Sequence, residues 1–261
     1  MIDLHAHILP GLDDGPKNMD EALEMCRMAQ ADGIHTIVAT PHHRIGVYDN
    51  SQANILPALE SLQQALHREG ISIRLLPGVD IFIHPEVTTF LEQNPLLLIG
   101  GQYALMELPN QSIPPHLPDF FFKMRLKGYI PIITHPERNS MVQRNPEILE
   151  ELVKGGALFQ VTAMSLTGEF GVSARETATR LIRSGLVQSI ATDAHSPHRR
   201  PPVLSKARKT LEEMIRPDQA SIVMDQIPEK ILRGVPVEGK QITESPPHRP
   251  SLISRLFKRK V

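Results

Sequence analysis

Short apolar runs alternate with longer segments of helical periodicity along most of the chain. The apolar runs end at polar residues, which is typical of buried strands. The longer segments place apolar side chains three and four residues apart, as Leu59, Leu62 and Leu66 do, and so predict amphipathic helices. The predicted strands are residues 1–7, 34–40, 71–79, 96–99, 103–108, 129–134, 157–162 and 187–192. The predicted helices are residues 18–33, 51–70, 118–128, 145–155, 173–185, 203–215 and 227–232.

The order of these elements favours one α/β barrel. Strands and helices alternate about every 25–35 residues, and nearly all-apolar strands indicate a parallel sheet that is buried on both faces. About six to eight such units, with no Gly-rich nucleotide loop after the first strand, indicate a closed barrel rather than an open sheet. In barrels of this kind the active site lies at the C-terminal ends of the strands.

The composition agrees with a single large core and excludes several classes of function. The chain has 261 residues, of which 41% are hydrophobic, and its net charge of −1 provides no field for nucleic acid. The single cysteine, Cys26, excludes an internal disulfide framework; it falls on the apolar face of the first helix, where we expect a buried small residue rather than a nucleophile. No apolar run approaches the ~18 residues of a membrane span, and no signal segment opens the chain. We therefore expect a soluble, cytoplasmic protein.

The C-terminal residues differ in composition from the rest of the chain. We expect a catalytic barrel over residues 1–244, followed by a proline-rich linker and a basic tail over residues 245–261. The tail carries Arg255, Lys258, Arg259 and Lys260 and no acidic residue. It could make a weak contact with an anionic membrane surface, or it could be a solvated end, and the sequence does not decide between them.

Imidazole and carboxylate side chains occur at or just past the C-terminal ends of the predicted strands, or in the loop after the first one. His5 and His7 are two residues apart on that strand, so their side chains point to the same face. One such residue is often a turn or helix-capping residue, but so many together would be costly to bury unless metal ions compensate them. Nitrogen and oxygen donors without thiolate favour manganese, iron or zinc, and their number predicts two or three ions. The candidate ligands are His5, His7, Asp14, His42, Asp80, Glu107, His135, Asp193 and His195.

Five motifs in a fixed order now carry a family resemblance: the HxH opening, HILPGLDDGP, ATPHH, ITHPERN and TDAHSPHRRPP. They resemble the polymerase and histidinol phosphatase (PHP) family, and more narrowly its CpsB/CapC-type manganese-dependent protein-tyrosine phosphatases of bacterial capsule and exopolysaccharide loci. The resemblance runs from Met1 to about Pro202. It implies a distorted (β/α)7 TIM-like barrel with the metal site at the C-terminal ends of the strands, and manganese as the first choice of metal.

The resemblance also implies a role for each candidate ligand. Three ions would share the set, with Glu107 as the bridging carboxylate. By motif, the first ion takes His5, His7, Glu107 and Asp193, the second shares Glu107 and takes Asp80 and His135, and the third takes Asp14, His42 and His195.

Asp80 departs from the pattern, because the family often has Glu there. Its side chain is one methylene shorter, so Asp80 would reach the second ion through water or hold it less tightly. Arg138 and Arg200 match the family's arginines at the mouth of the site, where a guanidinium fork suits phosphate oxygens; Arg199 is the alternative to Arg200. The catalytic set is Arg138, Arg200, His42 and Asp193, and we expect His43, Tyr48 and His84 to be supporting or surface residues.

Three hypotheses for the function follow. The first is a protein-tyrosine phosphatase that acts through metal-activated hydroxide on the cytoplasmic tail of a bacterial tyrosine kinase controlling capsule or exopolysaccharide synthesis. The second keeps the fold and changes the substrate to histidinol phosphate or another small phosphomonoester. The third is a non-catalytic metal-binding protein that docks on the kinase or the membrane. The absence of a long lid insertion favours the first, and the near-complete ligand set disfavours the third. The oligomeric state stays open.

Overall fold

The computed structural model describes residues 1–239, in which parallel strands alternate with helices. In these residues the strands are β1 (Ile2–Ala6), β2 (Thr36–Ala39), β3 (His42–Arg44), β4 (Tyr48–Asp49), β5 (Arg74–Pro77), β6 (Asp80–Phe82), β7 (Tyr103–Glu107), β8 (Ile130–Thr134), β9 (Leu158–Thr162) and β10 (Ser189–Ala191). The α-helices there are α1 (Met19–Ala31), α2 (Gln52–Arg68), α3 (Val87–Gln93), α4 (Leu117–Leu126), α5 (Ser140–Arg144), α6 (Ile148–Lys154), α7 (Ala163–Thr167), α8 (Val172–Arg183), α9 (Ser205–Met214), α10 (Pro217–Ser221) and α11 (Ile227–Leu232).

Backbone hydrogen bonds join these strands into two sheets. One sheet has the order β1-β2-β5, and the other has the order β10-β9-β8-β7-β6-β3-β4. The pairs are parallel except for the short hairpin of β3 and β4. The predicted α/β fold with a parallel sheet is therefore confirmed.

Two stretches of chain each supply a strand to both sheets. Residues 36–44 form β2 and then β3, and residues 74–82 form β5 and then β6. A Cβ atom at Gly78 would lie 2.6 Å from Val38 Cγ1, so the two stretches pass too closely for a larger residue there. His42 and Asp80 follow the ends of β2 and β5, as predicted, but the sequence did not predict that a second short strand begins at each of them. Each is the first residue of a short strand, and the two pair with one another in the sheet.

The C-terminal end of β1 lies against the residues that follow β10. The Asp193 N–H donates to the His5 carbonyl at 2.8 Å, and the His7 N–H donates to the Ala194 carbonyl at 2.8 Å. Ala6 and Ala194 form a parallel bridge between these hydrogen bonds. Residues from the first and last strands of the chain therefore meet at one edge, which is where the polar side chains gather.

Apolar side chains pack on both sides of the strands. Along β7, Tyr103 and Leu105 belong to one buried cluster, which also packs against α11, while Ala104 and Met106 belong to the larger cluster beneath the outer helices. Because both faces are covered, nearly every position of these strands is apolar, as predicted. Cys26 of α1 is fully buried in the larger cluster, and burial raises the pKa of its thiol to about 12. It is therefore a core residue, as predicted.

Two other features differ from the predictions or lie beyond them. Residues 96–99 form no strand, because the short apolar run folds into a 3-10 turn (Pro95–Leu97) that buries Leu97 and Leu98 in the core. The helices α3, α5, α7 and α10 were not predicted. No helix within residues 1–239 has the length and apolar character needed to cross a membrane. The predicted linker and basic tail, and the boundary at residue 244, lie outside the described residues.

Candidate metal centre

The candidate ligands, which are far apart in the sequence, come together at this edge. The ligands form three groups, and within each group the ligand atoms lie within 4.8 Å of one another. One group shares His7 with the second group and His42 with the third. His135 joins the cluster through Glu107, whose Oε1 lies 3.8 Å from His135 Nε2. The three groups are His7, Asp14, His42 and His195; His5, His7 and Asp193; and His42, Asp80 and Glu107.

The strand β1 aims two imidazoles at the centre of the cluster. His5 Nδ1 donates to Gln160 Oε1 at 2.9 Å and His7 Nδ1 donates to Asp13 Oδ2 at 2.6 Å, so the two Nε2 atoms face inward, 3.1 Å apart. Burial lowers the pKa of His7, but Asp13 and Asp193 outweigh it and raise the pKa to about 10. The surroundings of His7 therefore favour positive charge.

Sequence reasoning did not assign Asp13 and Gln160 to the site, yet they orient its histidines. Asp13 Oδ2 also accepts from the backbone N–H of His42 at 2.9 Å, and its Oδ1 accepts from Gly15 at 2.9 Å. Carboxylates and amides that hold the second ring nitrogen of a metal-binding histidine fix its tautomer. The available signals were the paired aspartates after Leu12 and a lone glutamine in the apolar strand β9.

Asp193 connects the histidines with the arginines. Its backbone takes the left-handed conformation, with φ of 52°, which costs free energy for a residue other than glycine and often occurs at functional sites. Asp193 Oδ1 lies 3.5 Å from His5 Nε2 and 3.4 Å from His7 Nε2. On its other side, Oδ2 accepts from Arg138 Nη1 at 2.6 Å and from Arg200 Nη2. One carboxylate thus faces the proposed ligands and both candidate arginines.

Asp80, the shortened ligand, reaches the cluster. Its Oδ2 lies 3.3 Å from His42 Nδ1 and 3.7 Å from His5 Nε2, while Thr134 Oγ1 donates to its Oδ1 at 3.2 Å. His42 Nδ1 also lies 3.6 Å from Glu107 Oε2. Asp80 is fully buried, and its Oδ2 has no hydrogen bond from the described residues. A buried carboxylate oxygen without a donor is a position that a cation would satisfy.

The protonation states of His5, His135 and Asp193 fit the same conclusion. Burial lowers the pKa of His5 to about 4 and that of His135 to about 3, so both imidazoles are neutral at neutral pH. Burial would raise the pKa of Asp193, but its interactions with His5, His7 and Arg200 outweigh that effect and hold the pKa well below its usual range. Burial raises the pKa of Glu107 to about 7, and the nearby Asp80 adds to the shift. Neutral imidazoles beside carboxylates are the protonation states that bind divalent metals.

The entrance of the cluster is partly open to solvent. The Asp14 side chain is 52% exposed, and those of Arg138 and Arg200 are 25% and 22% exposed. Arg200, rather than the exposed Arg199, contacts Asp193. Tyr48 stacks on the ring of His42, with ring centroids 5.9 Å apart.

His43 and His84 do not join the cluster of ligands. His43 Nδ1 donates to the Asn50 carbonyl at 2.9 Å, and its ring stacks on Phe90 at 3.8 Å. The His84 ring lies 5.7 Å from that of His43. These two histidines and Phe90 therefore form an aromatic group that is separate from the ligands.

Comparison with known proteins agrees with this site. The family described as "Capsular polysaccharide synthesis, CpsB/CapC" matches residues 1–233. Tyrosine-protein phosphatase YwqE of Bacillus subtilis (strain 168) is 42% identical over 197 residues, which are 75% of this chain and 78% of YwqE. The putative tyrosine-protein phosphatase CapC of Staphylococcus aureus is 38% identical over 207 residues, 79% of this chain and 81% of CapC.

A solved structure agrees as well. It comes from work on YwqE from Bacillus subtilis and CpsB from Streptococcus pneumoniae, described as unique metal-dependent tyrosine phosphatases. It superposes on this chain with a TM-score of 0.87 and 36% identity, covering 93% of this chain and 99% of that one.

Proposed function

This chain belongs to the CpsB/CapC family of capsular polysaccharide synthesis proteins, and from that premise we propose that it is a metal-dependent protein-tyrosine phosphatase. The observation that carries the proposal is the meeting of two kinds of group at Asp193. On one side lies a buried cluster of imidazoles and carboxylates, and on the other lie the guanidiniums of Arg138 and Arg200. Side chains that can bind metal ions, placed next to two guanidinium groups, form a site that suits the negatively charged phosphoryl group of a phosphomonoester.

We propose a distorted (β/α)7 barrel as the architecture that carries the site. The two sheets share two continuous stretches of chain, β2 with β3 and β5 with β6. Hydrogen bonds between β1 and the residues after β10 support closure of the remaining gap. Seven parallel strand positions around one axis would explain why ligands from β1 to the end of β10 meet at one end.

The same donor set supports two or three divalent ions, for which we propose manganese, with iron or zinc as alternatives. Nitrogen and oxygen donors in this proportion suit these metals, and a structural cysteine-zinc site is not compatible with them. By motif, one ion would be held by His5, His7, Glu107 and Asp193, a second by Glu107, Asp80 and His135, and a third by Asp14, His42 and His195. Glu107 is the carboxylate shared by the first two ions, and it lies close to both His42 and His135. Bound ions would lower the pKa of water so that a nucleophile forms at neutral pH, and would neutralise phosphoryl charge.

The protein's own side chains would bind and orient the phosphoryl group. Arg138 and Arg200 present planar N–H donors at the partly exposed entrance, where phosphoryl oxygens would accept them. Asp193 holds both guanidiniums in place by accepting from each of them. A tyrosyl leaving group has an ordinary pKa of about 10, so it needs less protonation than an alkyl alcohol would.

We propose that the substrate is phosphotyrosine on a protein, in the first instance a bacterial tyrosine kinase that controls capsule or exopolysaccharide synthesis. The open entrance at Asp14 supports a protein segment as substrate, and the family description supports the capsule. A catalytic region over residues 1–244, a linker and tail over residues 245–261, and a location in the cytoplasm remain part of this proposal.

Turnover of a phosphotyrosine peptide by the purified chain tests the proposal. The assay compares the chelator-treated protein with the same protein after manganese is added back. A parallel reaction uses histidinol phosphate as the substrate. We expect release of phosphate from the peptide to be lost on chelation, restored by manganese and much faster than from histidinol phosphate. Faster turnover of histidinol phosphate would replace the proposal with a small-molecule phosphatase, and no turnover of either by the metal-loaded protein would refute it.

A paired substitution separates metal binding from catalysis. His135→Ala removes a proposed ligand that lies beside Glu107, whereas His67→Ala removes an exposed histidine in the last turn of α2 that is not a candidate ligand. We expect the first variant alone to lose bound manganese, measured by elemental analysis after dialysis. Equal metal content in both variants would remove His135 from the ligand set.

A further inference from the structure

Phe170 lies beneath both arginines of the entrance, and the proposed function does not account for it. The Cζ atom of Arg138 lies 4.7 Å from the centroid of the Phe170 ring, and that of Arg200 lies 5.7 Å from it. Both distances are within the range of cation–π attraction, which is about 6 Å. One aromatic ring therefore contacts two guanidiniums that come from opposite parts of the sequence.

The loop that carries Phe170 is held by its own backbone. Gly168 and Gly171 have φ of 98° and 90°, conformations that favour glycine. The Gly168 N–H donates to the Met164 carbonyl at 3.1 Å, and the Gly171 N–H donates to the Gly168 carbonyl at 3.0 Å. These bonds define the turn between α7 and α8, so the position of the ring is built into the fold.

The residue before α7 is tied to the segment that carries Arg138. Glu137 is buried next to Arg138, and its Oε1 accepts from the N–H of Thr162, the residue directly before α7, at 3.0 Å. This buried hydrogen bond joins the Arg138 segment to the start of α7, the helix that leads into the turn of Phe170.

The two guanidiniums need more than Asp193 to hold them together. They carry like charges and both bind the same oxygen, Asp193 Oδ2, whose carboxylate also faces His5 and His7. A carboxylate that shares its charge with divalent ions binds each guanidinium less strongly. An aromatic face attracts a guanidinium lying over it while leaving the N–H groups at its edge free to donate.

We infer that Phe170 is a positioning residue that aligns the guanidiniums of Arg138 and Arg200 as one phosphate-binding pair. The inference rests on the proposed phosphatase function and adds to it how the arginines are placed. It requires an aromatic ring at this position, not merely an apolar side chain. It also requires that the effect be felt by any phosphate, whatever group the phosphate is attached to.

Four variants test this inference in the manganese-loaded full chain. Phe170→Ala removes the ring, Phe170→Leu keeps apolar volume without it, and Phe170→Tyr restores it. Phe122→Ala is the matched control, because Phe122 of α4 is an exposed phenylalanine and no contact with either arginine is found for it. The measurements are the affinity for inorganic phosphate by calorimetry, and kcat and KM for a phosphotyrosine peptide and for β-glycerophosphate.

We expect Phe170→Ala and Phe170→Leu to weaken phosphate binding by about tenfold and to raise KM for both esters by a similar factor. Phe170→Tyr and Phe122→Ala should stay close to the wild type. If Phe170→Ala lowers the unfolding midpoint, the comparison of Leu with Tyr decides, since both fill the space. The effect of Phe170→Leu should also disappear in an Arg138→Ala, Arg200→Ala background.

Two results would overturn the inference while leaving the proposed function intact. One is wild-type phosphate affinity in Phe170→Leu, which would mean that the arginines need no aromatic support. The other is a loss confined to the tyrosine ester, which would make Phe170 a contact for the substrate ring. Failure of the wild type to hydrolyse the peptide is a separate outcome, and it would refute the phosphatase proposal itself.

Discussion

Asp13 offers a quantitative test of how the cluster is held together. Its side chain is 1% exposed and accepts from His7 Nδ1 at 2.6 Å, from the His42 N–H at 2.9 Å and from the Gly15 N–H at 2.9 Å. In Asp13→Asn, one of the two carboxylate oxygens becomes an NH2 group, which cannot accept a hydrogen bond. At least one of these three donors therefore loses its partner. The remaining bond to His7 also loses the assistance of a charge.

The expected cost follows from these contacts. An unsatisfied buried donor costs about 1–3 kcal/mol, and the change from a charge-assisted to a neutral hydrogen bond costs on the order of 1 kcal/mol more. The sum is about 2–4 kcal/mol, and its lower end corresponds to roughly 30-fold in an equilibrium constant, within the ~10–100-fold range typical of residues that orient metal ligands. We therefore expect Asp13→Asn to weaken manganese binding by about 30-fold.

The assay is a manganese titration of chelator-treated protein, followed both by calorimetry and by turnover of a phosphotyrosine peptide. Because Asp13 orients a ligand instead of binding the metal, saturating manganese should restore most of kcat. Asp20→Asn is the control, since it makes the same chemical change at an exposed position in the first turn of α1. Unchanged manganese affinity in Asp13→Asn would refute this reasoning.

Three further predictions follow from the structure. Manganese at about 100 times its dissociation constant should stabilise the fold by about 2.7 kcal/mol, so that chelation lowers the unfolding midpoint in calorimetry; an unchanged midpoint would argue against a site built into the native state. Burial raises the pKa of Cys26 to about 12, so iodoacetamide should leave the native protein unmodified by mass spectrometry and fully active, and rapid inactivation would contradict its place in the core. Gly78→Ala should destabilise the fold by about 1–3 kcal/mol in urea unfolding, because the added Cβ would lie 2.6 Å from Val38 Cγ1 and 2.9 Å from Thr40 Cγ2; wild-type stability would show that these strands can separate at little cost.

The sequence predicted the composition of the site better than its internal arrangement. His5 and His7 could be placed on one face because side chains alternate along a strand, and all the candidate ligands gathered because parallel strands end at the same edge. Their grouping followed no local rule. The contacts of His42 reach Asp14 on one side and both Asp80 and Glu107 on the other, which depends on the lateral offset of β3 against β6.

Residues that support the site were harder to predict than residues that form it. Gln160 and Asp13 orient histidines that are 155 and 6 residues away in the chain, and neither has a spacing that signals its role. The family motif favoured Arg200, but Arg199 stayed open as the alternative, because neighbouring residues differ only in the direction that the local turn gives them. In the folded chain Arg200 contacts Asp193 while Arg199 is exposed.

The sequence by itself determined the class of fold, the chemistry of the donors and the family, because apolar periodicity and motif order are properties of the chain alone. The tertiary structure decided which donors share a group, which arginine reaches Asp193 and which ring lies beneath it. Those relations join residues from distant strands and loops. They depend on strand register, on the close approach of two strands at Gly78 and on the turn at Phe170, and a shift of one residue in any of these would redirect the side chains.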